Sequence, residues 1–173
     1  DRLLTSLRER AKELNCLYAV EEILNLPDAK PADVCRGIVQ VIPPGWQYSD
    51  LCRARIALDG EVFESDDFRA TNWSQSADIT LQDRRVGEIS VFYIEEAPLE
   101  EDGPFLKEET RLVRTIADRL GHYLLYDRMK RHFEELDRAR KHLGEPRRGD
   151  WRIVMQLLDR TDPSLFAKIS HQM

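Results

Sequence analysis

The sequence predicts an α+β fold, an antiparallel sheet bracketed by helices, and three observations predict it. Apolar residues near each end recur every three or four positions, whereas between Leu51 and Glu95 they recur every second position. The alternating stretches are joined by short polar turns such as Asp59-Gly60, which reverse the chain on itself. Strands joined by consecutive hairpins pair antiparallel.

Residues 1 to 24 read as the first helix: Leu4, Leu7, Ala11, Leu14 and Tyr18 keep heptad spacing while Arg8, Glu9, Arg10, Lys12 and Glu13 fill the other faces. Pro27 ends it. Pro31 then opens a second helix with Val34, Ile38 and Val41 on one face, closed by Pro43-Pro44-Gly45. The first strand follows, with Cys52, Ala54, Ile56 and Leu58 alternating with Arg53, Arg55 and Ala57, and Asp59-Gly60 leads into Val62-Phe63. Residues 64 to 72 form a polar excursion that contains Phe68. Ala77, Ile79 and Leu81 make a further strand, and the turn at Asp83-Arg84-Arg85 returns the chain through residues 86 to 95. In that last strand Ile89, Val91 and Tyr93 face one way and Ser90, Phe92 and Ile94 the other. A strand apolar on both faces is expected to be central, covered on each side.

The remaining element is the longest. From Pro104 to Leu143 runs a stretch with no internal helix stop, in which Leu112, Ile116, Leu120 and Tyr123 are followed by Tyr126, Met129, Phe133, Leu136 and Leu143, with only Arg140 out of place. Glu108 and Glu109 suit a helix start through their charge, and Gly144 and Pro146 supply a stop. Such a helix would be about 60 Å long, roughly twice the width of a small domain, so its second half is expected to project. An isolated surface helix would leave this stripe wet, and a helical partner is the better expectation. The seam of the first helix matches it, which predicts a homodimer with Leu7, Leu14, Tyr18, Ile116, Leu120, Tyr123, Phe133 and Leu136 at the interface.

Composition bounds the function. The 173 residues have room for one domain plus helical extensions, and 42% hydrophobic with 34% charged residues is a globular balance. A net charge of -6 with interleaved signs offers no basic footprint for nucleic acid. No apolar run approaches the roughly 20 residues of a membrane span, and no signal peptide opens the chain, so the expectation is a cytoplasmic protein without a membrane partner. Cys16, Cys35 and Cys52 are scattered among apolar neighbours, as reduced core thiols would be. The two ends read as those of a piece excised from a longer protein.

At the level of residues the chain resembles a GAF domain. The resemblance is carried by Glu13-Leu14-Asn15-Cys16-Leu17-Tyr18, Ile42-Pro43-Pro44-Gly45-Trp46-Gln47-Tyr48, Ser76-Ala77-Asp78-Ile79, Gly87-Glu88-Ile89-Ser90-Val91-Phe92-Tyr93 and Gly103-Pro104-Phe105-Leu106-Lys107-Glu108-Glu109. These stretches, in this order, are similar to the bacterial sensory GAF modules that precede histidine kinases and other output domains. The resemblance implies a GAF/PAS-like antiparallel sheet of five or six strands, N- and C-terminal helices packed on one face as a dimer seam, and a small-molecule pocket on the other. It divides the chain into a dimerisation helix (1–25), a GAF core (26–106), a long signalling helix (107–144), and a linker with the start of an output domain (145–173).

The ligand, if there is one, and any cofactor stay unknown from the sequence. The cyclic-nucleotide signature of the family is missing, since Phe63 and Asp67 fit its spacing but Phe68 stands where a Glu belongs and no Asn-Lys pair is present. Covalent bilin attachment would need an exposed Cys, whereas Cys52 lies on the apolar phase of its strand. His122, His132, His142 and His171 lie outside the sheet region at spacings that fit no metal pair, so no metal is expected. The candidate ligand-binding residues are Trp46, Tyr48, Arg53, Arg55, Phe63, Phe68, Trp73, Gln75 and Tyr93: an aromatic wall with a few polar groups is how a small-ligand pocket is built. The same residues would equally serve to cover the open face of a small sheet, and Arg53 and Arg55, two apart on one strand face, would hold an anion or simply meet solvent. No Ser-His-Asp order, phosphate loop or isolated carboxylate pair points to catalysis.

Residues 147 to 173 add two amphipathic pieces, Trp151 to Leu158 and Phe166 to Met173, the second opened by Pro163. Ile169-Ser170-His171-Gln172-Met173 is similar to the phosphoacceptor box of sensor histidine kinases, with Gln172 in place of the usual acid and Pro163 unusually near. Residues 150 to 170 also resemble the segment that precedes the nucleotide-binding region of phosphoenolpyruvate-synthase-like proteins, and this reading is preferred. The sequence therefore predicts a non-catalytic regulatory module that dimerises and signals to its own C-terminal output domain. The rival readings are a ligand-free scaffold and a kinase fragment with His171 as phosphoacceptor.

Overall fold

The computed structural model describes residues 1–98 and 103–142. The chain divides into two units, Asp1–Asp127 and Arg128–Met173. The order of elements is α1 (Arg2–Leu24), α2 (Pro31–Val41), a 3-10 turn (Pro43–Gly45), β1 (Cys52–Leu58), β2 (Glu61–Glu64), β3 (Ser74–Leu81), β4 (Arg84–Tyr93) and α3 (Lys107–His142). All of these except the last turns of α3 belong to the first unit.

Local chemistry accounts for the boundaries. The Asp1 carboxylate caps α1 by accepting the Leu3 N–H at 3.3 Å, and Pro31 opens α2 where a missing N–H costs nothing. Between β1 and β2, Asp59 and Gly60 both take positive φ, 50° and 88°, as a two-residue turn that follows strand twist requires. Gln82 and Asp83 do the same between β3 and β4, with φ of 48° and 62°.

The strands form one antiparallel sheet in the order β2-β1-β4-β3. Among the described residues the sheet has four strands, not the five or six that the GAF resemblance implies. Residues 65 to 73, between β2 and β3, form no strand. They carry no alternating pattern, and the segment ties itself to β1 instead: Ala54 and Ser65 exchange bonds through Ser65 N to Ala54 O (2.9 Å) and Ala54 N to Ser65 Oγ (3.0 Å). β4 lies between β1 and β3, and Ser90 through Tyr93 are all buried, as expected of a strand apolar on both sides.

One phase of the sheet meets the helices. Cys52, Ala54, Ile56 and Leu58 of β1, Phe63 of β2, Ile79 and Leu81 of β3, and Ile89, Val91 and Tyr93 of β4 share a core with Cys16 and Val20 of α1, Val34 to Val39 of α2, and Leu112 to Leu124 of α3. Gly121 lets α3 lie directly on β3, because a Cβ there would stand 2.6 Å from the Thr80 carbonyl oxygen.

This core corrects the expected dimer seam. Ile116 and Leu120 are fully buried against the sheet and are closed to a second copy, and Tyr123 is half-buried with its hydroxyl donating to the Ala29 carbonyl at 2.9 Å. The heptad pattern over 112–123 served the protein's own core, since a helix lying on a sheet needs the same apolar stripe as one lying on another helix. Leu136 is half-exposed and Phe133 is exposed. The readings that involve residues 143–173, His171 among them, lie outside the described residues. No helix among the described residues is long and apolar enough to cross a membrane.

Candidate functional site

Strand register decides where the nine candidate ligand residues go. Cys52 pairs with Tyr93 and Arg53 with Phe92, while Ser74 pairs with Phe92 and Gln75 with Val91. Directly paired residues share a face, so Tyr93 and Gln75 stand with Cys52 on the helix side, whereas Arg53 and Arg55 stand with Phe92 on the other. Phe63, opposite Ile56, also points to the helices. Trp73 packs against the same core, and Trp46 is buried within it. The nine residues thus form two groups on opposite faces of the sheet.

On the outer face the excursion is pinned down by aromatic and arginine contacts. Phe68 meets Phe92 edge to face at 5.2 Å between ring centroids, and the Arg55 guanidinium lies over both rings, 5.5 Å from Phe68 and 5.1 Å from Phe92. Arg53 donates to the carbonyls of Asp50 (2.9 Å), Cys52 (2.7 Å) and Asp67 (3.3 Å). Both arginines therefore hold the 65–73 segment on the sheet.

On the helix side the polar groups converge on a residue whose role the sequence did not reveal. Glu109, in the first turn of α3, is 1% exposed. Its Oε1 accepts the Gln47 N–H at 2.7 Å and the Tyr93 hydroxyl at 3.3 Å, and its Oε2 accepts the Leu106 N–H at 2.8 Å. The last bond is half of a capping box, an acid three residues inside the helix reaching back to the residue before it. Burial raises the Glu109 carboxyl above the ordinary range, against the lowering effect of the Gln47 and Leu106 N–H groups and the Tyr93 hydroxyl. The ring of Tyr93 stacks on Phe105 at 4.7 Å and meets Tyr48 edge-on at 5.7 Å, and burial first, then Glu109, pushes its phenol up. Nearby, the Gln75 side chain accepts from Thr110 Oγ1 at 3.1 Å. Glu109 was legible as an acid in a helix start, but the spacing carries no sign that the carboxylate turns inward.

The same network reaches α1. Lys12 Nζ donates to the carbonyls of Gln47 (3.0 Å) and Trp46 (3.5 Å) and pairs with Glu9 at 3.0 Å. A Cβ at Gly45 would stand 2.6 Å from that of Cys16, so the turn after α2 sits hard against α1. At the other end of α1, Glu21 pairs with Arg119. Lys12 at the level of Glu109 and Glu21 at the level of Arg119 make α1 and α3 run parallel. The three cysteines are buried as expected of core thiols; burial pushes Cys16 and Cys35 up to about 12 and Cys52 well above its ordinary value.

The face of α1 turned away from this network is apolar and open. Leu4, Leu7 and Leu14 are 56%, 56% and 55% exposed, Tyr18 is 68% exposed, and Ala11 between them is exposed too. At 100° per residue these positions lie about half a turn round the helix from Cys16 and Val20. Compared with known proteins, the chain matches no family model, no curated protein and no solved structure.

Proposed function

We propose that this chain is a non-catalytic regulatory module of the GAF type, which pairs with a second copy through α1 and passes a conformational bias along α3 to a C-terminal output domain. The observation that carries the reading is the open apolar face of α1. Five successive heptad positions, Leu4, Leu7, Ala11, Leu14 and Tyr18, are exposed on the side opposite the core contacts. A monomer gains nothing from that stripe, whereas a second α1 buries it by the knobs-into-holes packing its spacing suits. The parallel run of α1 and α3 supports the signalling part, because a shift of one helix along the seam loads the other in the same direction.

Phe68 over Phe92, with Arg55 across both rings, favours a conformational signal over a small ligand on the outer face. For the output domain, the resemblance of residues 150 to 170 favours a phosphoenolpyruvate-synthase-like type. Light scattering on the chain at tens of micromolar, roughly the range in which a modest helical interface assembles, tests the pairing. The expected result is a dimer that Leu7→Asp with Leu14→Asp converts to folded monomers. An unmutated chain that stays monomeric, or a double variant that stays dimeric, overturns it.

A further inference from the structure

Glu109 is the one fully buried acid among the described residues, and every group it touches is a donor. Three donors from three elements meet two carboxylate oxygens: the Gln47 N–H from the segment after the 3-10 turn, the Tyr93 O–H from β4, and the Leu106 N–H at the α3 start. An ionised carboxylate accepts all three, whereas a protonated one turns its O–H to the Tyr93 hydroxyl, the one contact that can also accept, and meets the two backbone N–H groups as a neutral acceptor. Both backbone bonds then lose their charge assistance and weaken. We propose that Glu109 is a latch, tight when ionised and loosened by protonation, that ties the first turn of α3 to the Trp46–Tyr48 segment and through Lys12 to α1. The inference rests on the regulatory reading above and names its internal control point.

The surroundings fix the direction of the switch. Near the carboxyl are Glu9 from α1, Cys52 from β1 and Tyr93 from β4, with Glu108 beside it on α3 and Glu13 of α1 near Glu108, while Lys12 of α1 reaches the Gln47 carbonyl. Lys12 is itself committed to Glu9 and to the two carbonyls, and the negative charge of Glu9 adds to burial in favouring the protonated form. Because the folded carboxyl holds its proton more tightly than the unfolded one, this group's contribution to stability is full below the ordinary glutamate value and is lost as pH rises through the folded value. Acidification across that window therefore loosens the latch while the fold is retained. Displacement of α1 acts on the same point mechanically, since Lys12 leaves the Gln47 carbonyl and frees the peptide whose neighbouring N–H holds Glu109.

Amide NMR of the chain tests both routes. In a titration from neutral pH down to the ordinary glutamate range, the Gln47 and Leu106 amide protons should move together with one midpoint above that range, and neither should move in Glu109→Gln. Lys12→Met, which leaves the carboxyl intact, should speed hydrogen exchange at the Gln47 amide by about tenfold, the order expected for one lost charged hydrogen bond. Breaking the seam with Leu14→Asp should do the same in a dimeric chain. Amides that titrate separately or not at all overturn the latch, as does an unchanged Gln47 exchange rate in Lys12→Met. If the chain is monomeric, the regulatory reading falls while the titration still decides the latch; if it is dimeric and Leu14→Asp leaves Gln47 untouched, the coupling to the seam falls alone.

Discussion

Helices α1 and α3 carry apolar residues at the same spacing and put them to opposite uses. In α3 the stripe Leu112, Ile116 and Leu120 lies on the sheet, and the side turned away carries Arg111, Arg114 and Asp118. In α1 the stripe Leu4 to Tyr18 faces water, and the core is reached from the other side by Cys16 and Val20, with Leu17 and Ile23 beside them. A period of three and four residues reports that a helix has an apolar face; whether sheet or partner covers it depends on what else the helix offers. α1 has two apolar faces and one sheet to satisfy them, so the second stays open.

That contrast is sharpest at Leu120 and Leu14. Leu120→Asp places an unpaired carboxylate in the core and should cost several kcal/mol, enough to unfold most of the chain, as circular dichroism will read. The truncation Leu120→Ala should cost about 2–5 kcal/mol in urea denaturation. A folded Leu120→Asp chain that merely lost its partner would return residues 112–123 to the dimer seam. Gly121→Ala probes the close approach of α3 to β3: with a backbone oxygen 2.6 Å from the added carbon, the helix has to lift, at about 1–3 kcal/mol. Tyr123→Phe removes the bond to Ala29 O while leaving the ring in place, and should lower stability by about 1 kcal/mol without touching assembly. The smallest effect on folding is expected at Leu14, where Leu14→Asp should leave monomer stability within about 0.5 kcal/mol and still abolish pairing in sedimentation. If Leu14→Asp instead lowers the melting temperature of a chain already monomeric, the two helices do not differ as described.

Much of this architecture follows from the sequence alone. The Asp59-Gly60 turn, the Pro31 helix start, the long closing helix and the two-faced strand β4 are local matters, set by backbone preference and by which neighbours alternate, and each stands close to where the pattern places it. The phases within a strand were legible too: Cys52 and Arg53 lie on opposite faces, as the alternation requires. The relative phase of two strands is not local. Only pairing Cys52 with Tyr93 sends Tyr93, Gln75 and Trp73 to the helices and leaves Arg53 and Arg55 with Phe68 outside, so a set of residues that looked like one wall became two. The alternation itself marks four strands and a polar excursion; the five or six came from the family resemblance alone, and the 65–73 segment spends its polar groups on β1 and on the arginines. Glu109 shows the limit most plainly. In sequence it is one of two adjacent acids at a helix start; in the fold Glu108 stays partly open while Glu109 turns inward, because three donors, two of them from distant parts of the chain, converge there and offset part of the cost of burying its charge. Local order is written in neighbours along the chain, but burial is a property of neighbours in space, and those are chosen only when the elements pack.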